Sequence, residues 1–221
     1  MLGIGLLGIY FGANLHSRLF SHFASWRFEE VVAAAQRPAD QPSPLMDDVD
    51  VSLWAKRRLK AYKSSLAHKF PNPIAVLTIP RLHLRVPIFD GTDEMTLNRG
   101  IGRIAGTAMP GEDGNFAIAG HRDGFFRGLK DIAIGDQVEI TSRIESETYI
   151  VDSTEIVTPS DIGVLEAGPT HTVTLITCYP FYFVGDVPKR FVVKASLIHR
   201  SMVQGRHALT RQPQNNSQAE K

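Results

Sequence analysis

Cys178 is the single cysteine in a chain of 221 residues, so it has no disulfide partner within the chain and cannot belong to a zinc site built from several thiolates. A lone thiol is ordinarily a small buried hydrophobe, and only a base or a cation beside it turns it into a nucleophile. In Thr172-Val173-Thr174-Leu175-Ile176-Thr177-Cys178, strand alternation sets Val173 and Leu175 on one face and Thr172, Thr174 and Cys178 on the other. Tyr179-Pro180 follows, and proline, which has no ladder donor, turns the chain out of the sheet. The thiol therefore lies at a strand end. In the next apolar run Phe191, Val193, Ala195 and Leu197 face the core, while Arg190, Lys194 and Ser196 face the other way, with Val192 as the exception. Successive strands adjoin about two-thirds of the time, and in that arrangement Cys178 and Arg190 share one groove.

The histidine best placed to serve the thiol is His121, in Ala119-Gly120-His121-Arg122-Asp123-Gly124, where glycines bracket it with turn-like backbone. His83, in a basic segment, and His171, at a strand entry, are its rivals. With reference values of ~8.5 for Cys and ~6.5 for His, an uncoupled thiolate–imidazolium pair amounts to about one per cent of the neutral pair. Arg190 can raise that fraction as a second positive charge, or donate hydrogen bonds to a tetrahedral oxyanion instead. His121, Asp123 and Cys178 show no recognised ligand spacing for a metal, and no cofactor is implied. Gly100-Ile-Gly102-Arg-Ile-Ala-Gly106 reads as a turn-rich loop rather than a dinucleotide fingerprint. Glu145 and Glu147 read as a solvated turn. The aromatic run Tyr179, Phe181, Tyr182, Phe183 reads as core packing that could wall a groove for an extended peptide.

These residues need a scaffold. The length suits one domain with extensions, and 43% hydrophobic residues exclude a disordered chain or a coiled coil. A net charge of +1 gives no general footprint for nucleic acid. Residues 1–17 carry no Asp, Glu, Lys or Arg and read as a membrane helix at the short edge of what spans a bilayer; the alternative is an amphipathic helix lying on the membrane or the domain. Arg18 and Arg27 follow it, which by the positive-inside rule alone would place the bulk of the chain in the cytoplasm. Three prolines in residues 37–44 make an extended linker, and residues 50–68 have helical character. From residue 74 short β-rich runs follow at 75–79, 85–89, 116–119, 137–141, 148–157, 172–177 and 191–198, which predict a barrel or sandwich. The polar stretch from 204 predicts a disordered tail. The organisation is thus an anchor and flank (1–36), a linker with accessory helix (37–73), a β domain (74–200) and a tail (201–221).

Thr174-Leu175-Ile176-Thr177-Cys178 followed by Arg190, with His121 upstream, resembles the T-L-x-T-C…R signature of bacterial sortases, and its wording is most like the class D members. The resemblance runs from about residue 75 to 200. It implies a mainly β fold: an eight-stranded sortase barrel with short helices behind a membrane-anchor helix and an accessory helix. It further implies a cysteine transpeptidase that cleaves an LPXTG-like sorting signal after its threonine, forms a thioacyl enzyme and passes the chain to an amine. The partners so implied are a surface protein bearing the signal and an amine acceptor, either a peptidoglycan precursor or a pilin-like lysine. The protein would sit in the cell membrane by a single N-terminal anchor with its catalytic domain outside the cytoplasm. By the same resemblance Cys178 is the nucleophile, His121 the general acid/base and Arg190 the oxyanion or substrate stabiliser, with Thr177 and Tyr179 at the substrate. The competing readings are an idle sortase-like barrel that serves in surface assembly and a plain cysteine endopeptidase.

Overall fold

The computed structural model describes residues 51–203 apart from 53, 169 and 184–186. The expected anchor (1–36), the proline-rich linker and the polar tail from 204 lie outside the described residues. Among the described residues no helix is long and apolar enough to cross a membrane.

Eight strands close into a barrel. They are β1 (Ala75–Ile79), β2 (Leu84–Asp90), β3 (Ile101–Arg103), β4 (Asn115–Ala119), β5 (Gln137–Ser142), β6 (Glu145–Val157), β7 (Thr172–Tyr179) and β8 (Lys189–Met202). The order around the barrel is β1-β2-β3-β4-β7-β8-β6-β5, with β5 returning to β1. Most pairs are antiparallel; β2 with β3 and β4 with β7 are parallel. Closure leaves no sheet edge and seals an apolar interior of Leu77, Ile79, Val86, Ile88, Ile118, Ile140, Leu175 and Val193.

Seven strands follow the β-rich runs of the sequence. β3 corrects the expectation of a loop at 100–106: three residues pair with β2 at Ile88–Ile101, Phe89–Gly102 and Asp90–Arg103. Glycine is required there because a Cβ on Gly102 would fall 2.0 Å from the carbonyl oxygen of Gly91. The glycine that looked like loop punctuation is what lets two backbones approach.

The accessory helix α1 (Lys56–Leu66) is shorter than its sequence signal and breaks the usual end rules. Ala55 gives no side-chain cap, no acid sits in the first turn, and Lys56, Arg57 and Arg58 crowd the positive end of the helix dipole. Tertiary contacts must hold it. Trp54, Tyr62 and Phe125 meet edge to face with ring centroids 4.7–5.9 Å apart, and Leu66 is buried beside them. At the other end the fully buried Arg99 donates to Ser65 O, in the last turn of α1, and its guanidinium lies over the Phe70 ring. That places a cation at the negative end of the helix dipole. Arg99 closes a second short helix, α2 (Glu94–Arg99), whose Asp93 cap accepts from Met95 N and Thr96 N. Since α1 has so little intrinsic stability, Trp54→Ala should cost about 3–5 kcal/mol, read as a drop in the urea midpoint with loss of helical signal.

Candidate active site

Cys178 and Arg190 are direct cross-strand partners in the β7–β8 ladder, so both side chains leave the same face. β7 ends at Tyr179, as Pro180 predicts, which leaves the half-exposed thiol at the rim of the barrel. On its other side β7 runs parallel to β4, with Ala119 level with Ile176. The pairing continues past the end of β4: Gly120 N donates to Ile176 O at 3.1 Å, and the Thr177 hydroxyl donates to Gly120 O at 2.7 Å. Gly120 packs against the ring of Phe126, where a Cβ would lie 2.6 Å from the ring edge, so the turn that follows is pressed onto the barrel. The His121 carbonyl then accepts from Gly124 N and Phe126 N. These contacts deliver His121 to the wall of one cavity of about 300 Å³ that also holds Cys178 and Arg190.

Thr177 is buried, with its hydroxyl committed to Gly120; it shapes the loop that carries His121. Tyr179 stacks on Phe191 and meets Phe181 edge on, so those rings belong to the core, whereas Tyr182 and Phe183 are exposed. The rival histidines fall elsewhere. His171 precedes β7, seven residues and so roughly 23 Å along the strand from Cys178, and pairs with Asp113 at 2.7 Å. His83, at φ 48°, lines a different cavity beside Trp54 and Phe125.

The sequence reading missed what α1 contributes. Arg58, buried, donates from Nε to Asp123 at 3.1 Å and from Nη1 to Glu94 at 3.3 Å and to Asn98. Arg57 and Arg58 line the cavity together with Arg122 and Asp123. The available signal was the dipole-breaking Lys56-Arg57-Arg58 start, since a local rule broken in a folded helix marks partners elsewhere. His121 Nε2 is buried and stands 3.6 Å from Glu94 Oε2, just beyond hydrogen-bond reach. Burial pushes the imidazole below its ordinary pKa and Arg58 adds to that, while Glu94 and Asp123 pull the other way. The net effect favours neutral imidazole, which can accept the thiol proton. Arg190 donates from Nη1 to Val187 O and Lys189 O, which ties its guanidinium to the chain entering β8 at the cavity that Cys178 also lines.

Glu145 and Glu147 are not a solvated turn. Both are buried at the start of β6, and Glu147 accepts from Arg200 at 2.8 Å, from the Tyr149 hydroxyl at 3.0 Å and from Gly111 N at 3.3 Å. Burial and the charge of Glu147 raise the pKa of Glu145. Removing one partner of a buried charge network strands the others, although Arg200 keeps partial access to water. Glu147→Ala should therefore lower stability by about 2–4 kcal/mol, seen as a fall in the denaturant midpoint.

A family model described as the sortase domain matches residues 77–198, more than half of the chain. The chain belongs to the sortase family. Sortase D of Bacillus subtilis is 32% identical over 132 residues, covering 59% of this chain and 67% of that protein. Among solved structures, the sortase D5 transpeptidase of Clostridium perfringens superposes with a TM-score of 0.54 at 32% identity, over 64% of this chain and 89% of the other. Sortase E of Streptomyces avermitilis gives 0.52 and 31%, over 62% and 94%. The sortase therefore has the eight-stranded barrel of a family of cysteine transpeptidases, and the likeness to class D stands beside a nearly equal one to class E.

Proposed function

We propose that this sortase cleaves an LPXTG-like sorting signal after its threonine and transfers the released acyl chain to an amine. The observation that carries the reading is the register pairing of Cys178 with Arg190, with His121 lining the same cavity. The Cys178 sulfur attacks the threonine carbonyl as its proton passes to the His121 imidazole. The tetrahedral oxyanion takes hydrogen bonds from the Arg190 guanidinium. The C–N bond then breaks, and the imidazolium gives its proton to the departing amine. An acceptor amine attacks the resulting thioester, losing a proton to His121, and the C–S bond breaks to restore the thiol. In this reading the Thr177 and Tyr179 backbone positions the bound peptide beside the sulfur. The uncharged apolar run at 1–17 supports a single membrane anchor; the barrel's place outside the cytoplasm rests on the family and on the lone thiol, which suits a compartment where stray disulfides would disable it, against the orientation that Arg18 and Arg27 alone would give. The donor is then a surface protein and the acceptor a peptidoglycan precursor or a pilin-like lysine.

The test is incubation of the full chain with an LPXTG peptide and mass spectrometry of the intact protein. The reading predicts an adduct on Cys178 that hydroxylamine releases and that added amine converts to transpeptidation product. An endopeptidase would give only hydrolysis, and an idle barrel no adduct; either result overturns the reading. Arg190→Ala should lower the acylation rate by about 10²-fold, with Arg190→Lys restoring only part, because a single ammonium does not reproduce the planar fork.

A further inference from the structure

The strand that bears the thiol and the turn that bears the imidazole are fastened to each other twice. The first fastening is the Thr177 hydroxyl on Gly120 O, one residue before Cys178 and one before His121. The second lies beyond both. Arg127, in the 3₁₀ turns of Phe125–Asp131, donates from Nη1 to Phe181 O, three residues after Cys178, and its Cζ lies 4.2 Å from the centre of the Tyr182 ring. Arg122 adds a bond from Nη2 to Phe183 O at 2.9 Å.

Phe181 connects this second fastening to all three groups of the site. Its buried ring packs edge to face on Tyr179, the neighbour of Cys178, with centroids 6.1 Å apart, and on Phe191, the neighbour of Arg190, at 5.4 Å. Its carbonyl leads through Arg127 back to the imidazole. Arg127 N donates to Gly124 O at 2.9 Å, and Gly124 N and Phe126 N donate to His121 O at 3.1 and 3.2 Å.

Stability alone does not account for Arg127. Its Nε is buried with no hydrogen-bond partner among the described residues, and a buried donor left unpaired is destabilising. A local cost tolerated beside a reactive site marks a functional demand. What the guanidinium supplies is a rigid tie between the carbonyl that follows the thiol and the turn that holds the imidazole.

We infer that Arg127 is a positioning residue for the thiol–imidazole pair: acting through Phe181, it fixes the spacing of Cys178 and His121 without itself lining their cavity. This rests on the transpeptidase reading above. Proton transfer from sulfur to nitrogen demands close approach, and a misplacement of about 1 Å costs on the order of 10²-fold in rate.

The experiment follows single-turnover acylation of the full chain by an LPXTG peptide in Arg127→Met and Arg127→Lys, with urea midpoints confirming that each variant is folded under assay conditions. Arg127→Met should slow acylation at saturating peptide by about 10–100-fold with KM within about twofold of the parent. Arg127→Lys, which keeps a cation and one donor, should recover part of the loss. Lys130→Gln, in the same turns but paired with Asp131, should change neither parameter. A double-mutant cycle supplies the readout that a merely structural role would not move. Iodoacetamide reports on Cys178 alone, because the chain has no other cysteine, and its reaction stays measurable without the base. Arg127→Met should slow this alkylation by about threefold or more in the parent and leave it unchanged in a His121→Ala background, where spacing to the imidazole no longer matters. If Arg127→Met does not fold, Arg127→Lys is taken through the same cycle, with a smaller loss expected in the parent and none in His121→Ala. Acylation at the parental rate in the folded variant, a change confined to KM, or an equal loss of alkylation in both backgrounds overturns the inference. Absence of any thioacyl adduct in the parent would instead sink the transpeptidase reading itself, so the two failures are distinguishable.

Discussion

A Cys178→Ala protein is expected to form no thioacyl adduct and to lose acyl transfer by about 10⁴-fold or more, at an unchanged denaturation midpoint. The size follows from the chemistry: without the sulfur there is no covalent intermediate, and what is left is water attacking a bound peptide. The unchanged stability follows from the position. Cys178 lies at the end of β7 on the outer face, half-exposed, where truncation to alanine leaves no sealed cavity. Intact-mass spectrometry, peptide cleavage and urea melting together separate loss of chemistry from loss of fold. Cleavage by the variant at the parental rate would remove Cys178 from the mechanism.

His121→Ala should follow closely, with a fall of about 10²–10⁴-fold in acylation, because the thiol then has no base and the leaving amine no acid. The variant carries a second, pH-dependent signature. Burial depresses the imidazole pKa in the folded state, so below about pH 6.5 the unfolded chain binds more protons than the folded one. The parent protein should accordingly lose stability as pH falls from about 6.5 towards the depressed folded value, and be unaffected by this group above 6.5. His121→Ala should flatten that part of the curve, measured as denaturant midpoints from pH 7.5 to 5. A parent curve that rises on acidification through this window would contradict a neutral, buried imidazole.

How much of this could be read from the sequence differs from residue to residue. Alternation alone set Cys178 and Arg190 on non-core faces of successive strands, and the ladder pairs them directly. The same alternation marked Val192 as an exception, and the register explains it: Val192 lies opposite Ile176, an apolar cross-strand pair on the otherwise polar face. That polar face is also less open than its composition suggests. Thr174 is fully buried, donating to Asn115, which in turn holds the carbonyls of Val164 and Glu166. Local patterning cannot announce a loop folded over a strand from elsewhere in the chain. β3 and α2 escaped for a related reason. Three residues, one of them glycine, and a single capped turn carry too little periodicity to stand out, and both exist because β2 and α1 are there to receive them. Arg58 was the least legible of all. Its place beside His121 depends on docking a helix whose own ends disfavour it, across 65 residues to Asp123.

The placement of β8 between β6 and β7 links folding to chemical competence. It follows all the other strands as the polypeptide is synthesised, and until it inserts, two neighbouring strands present unpaired edges. Arg190 rides at the start of that strand. A barrel without this strand would lack the cross-strand partner of Cys178, so on the proposed mechanism the strand that completes the architecture also supplies the oxyanion donor.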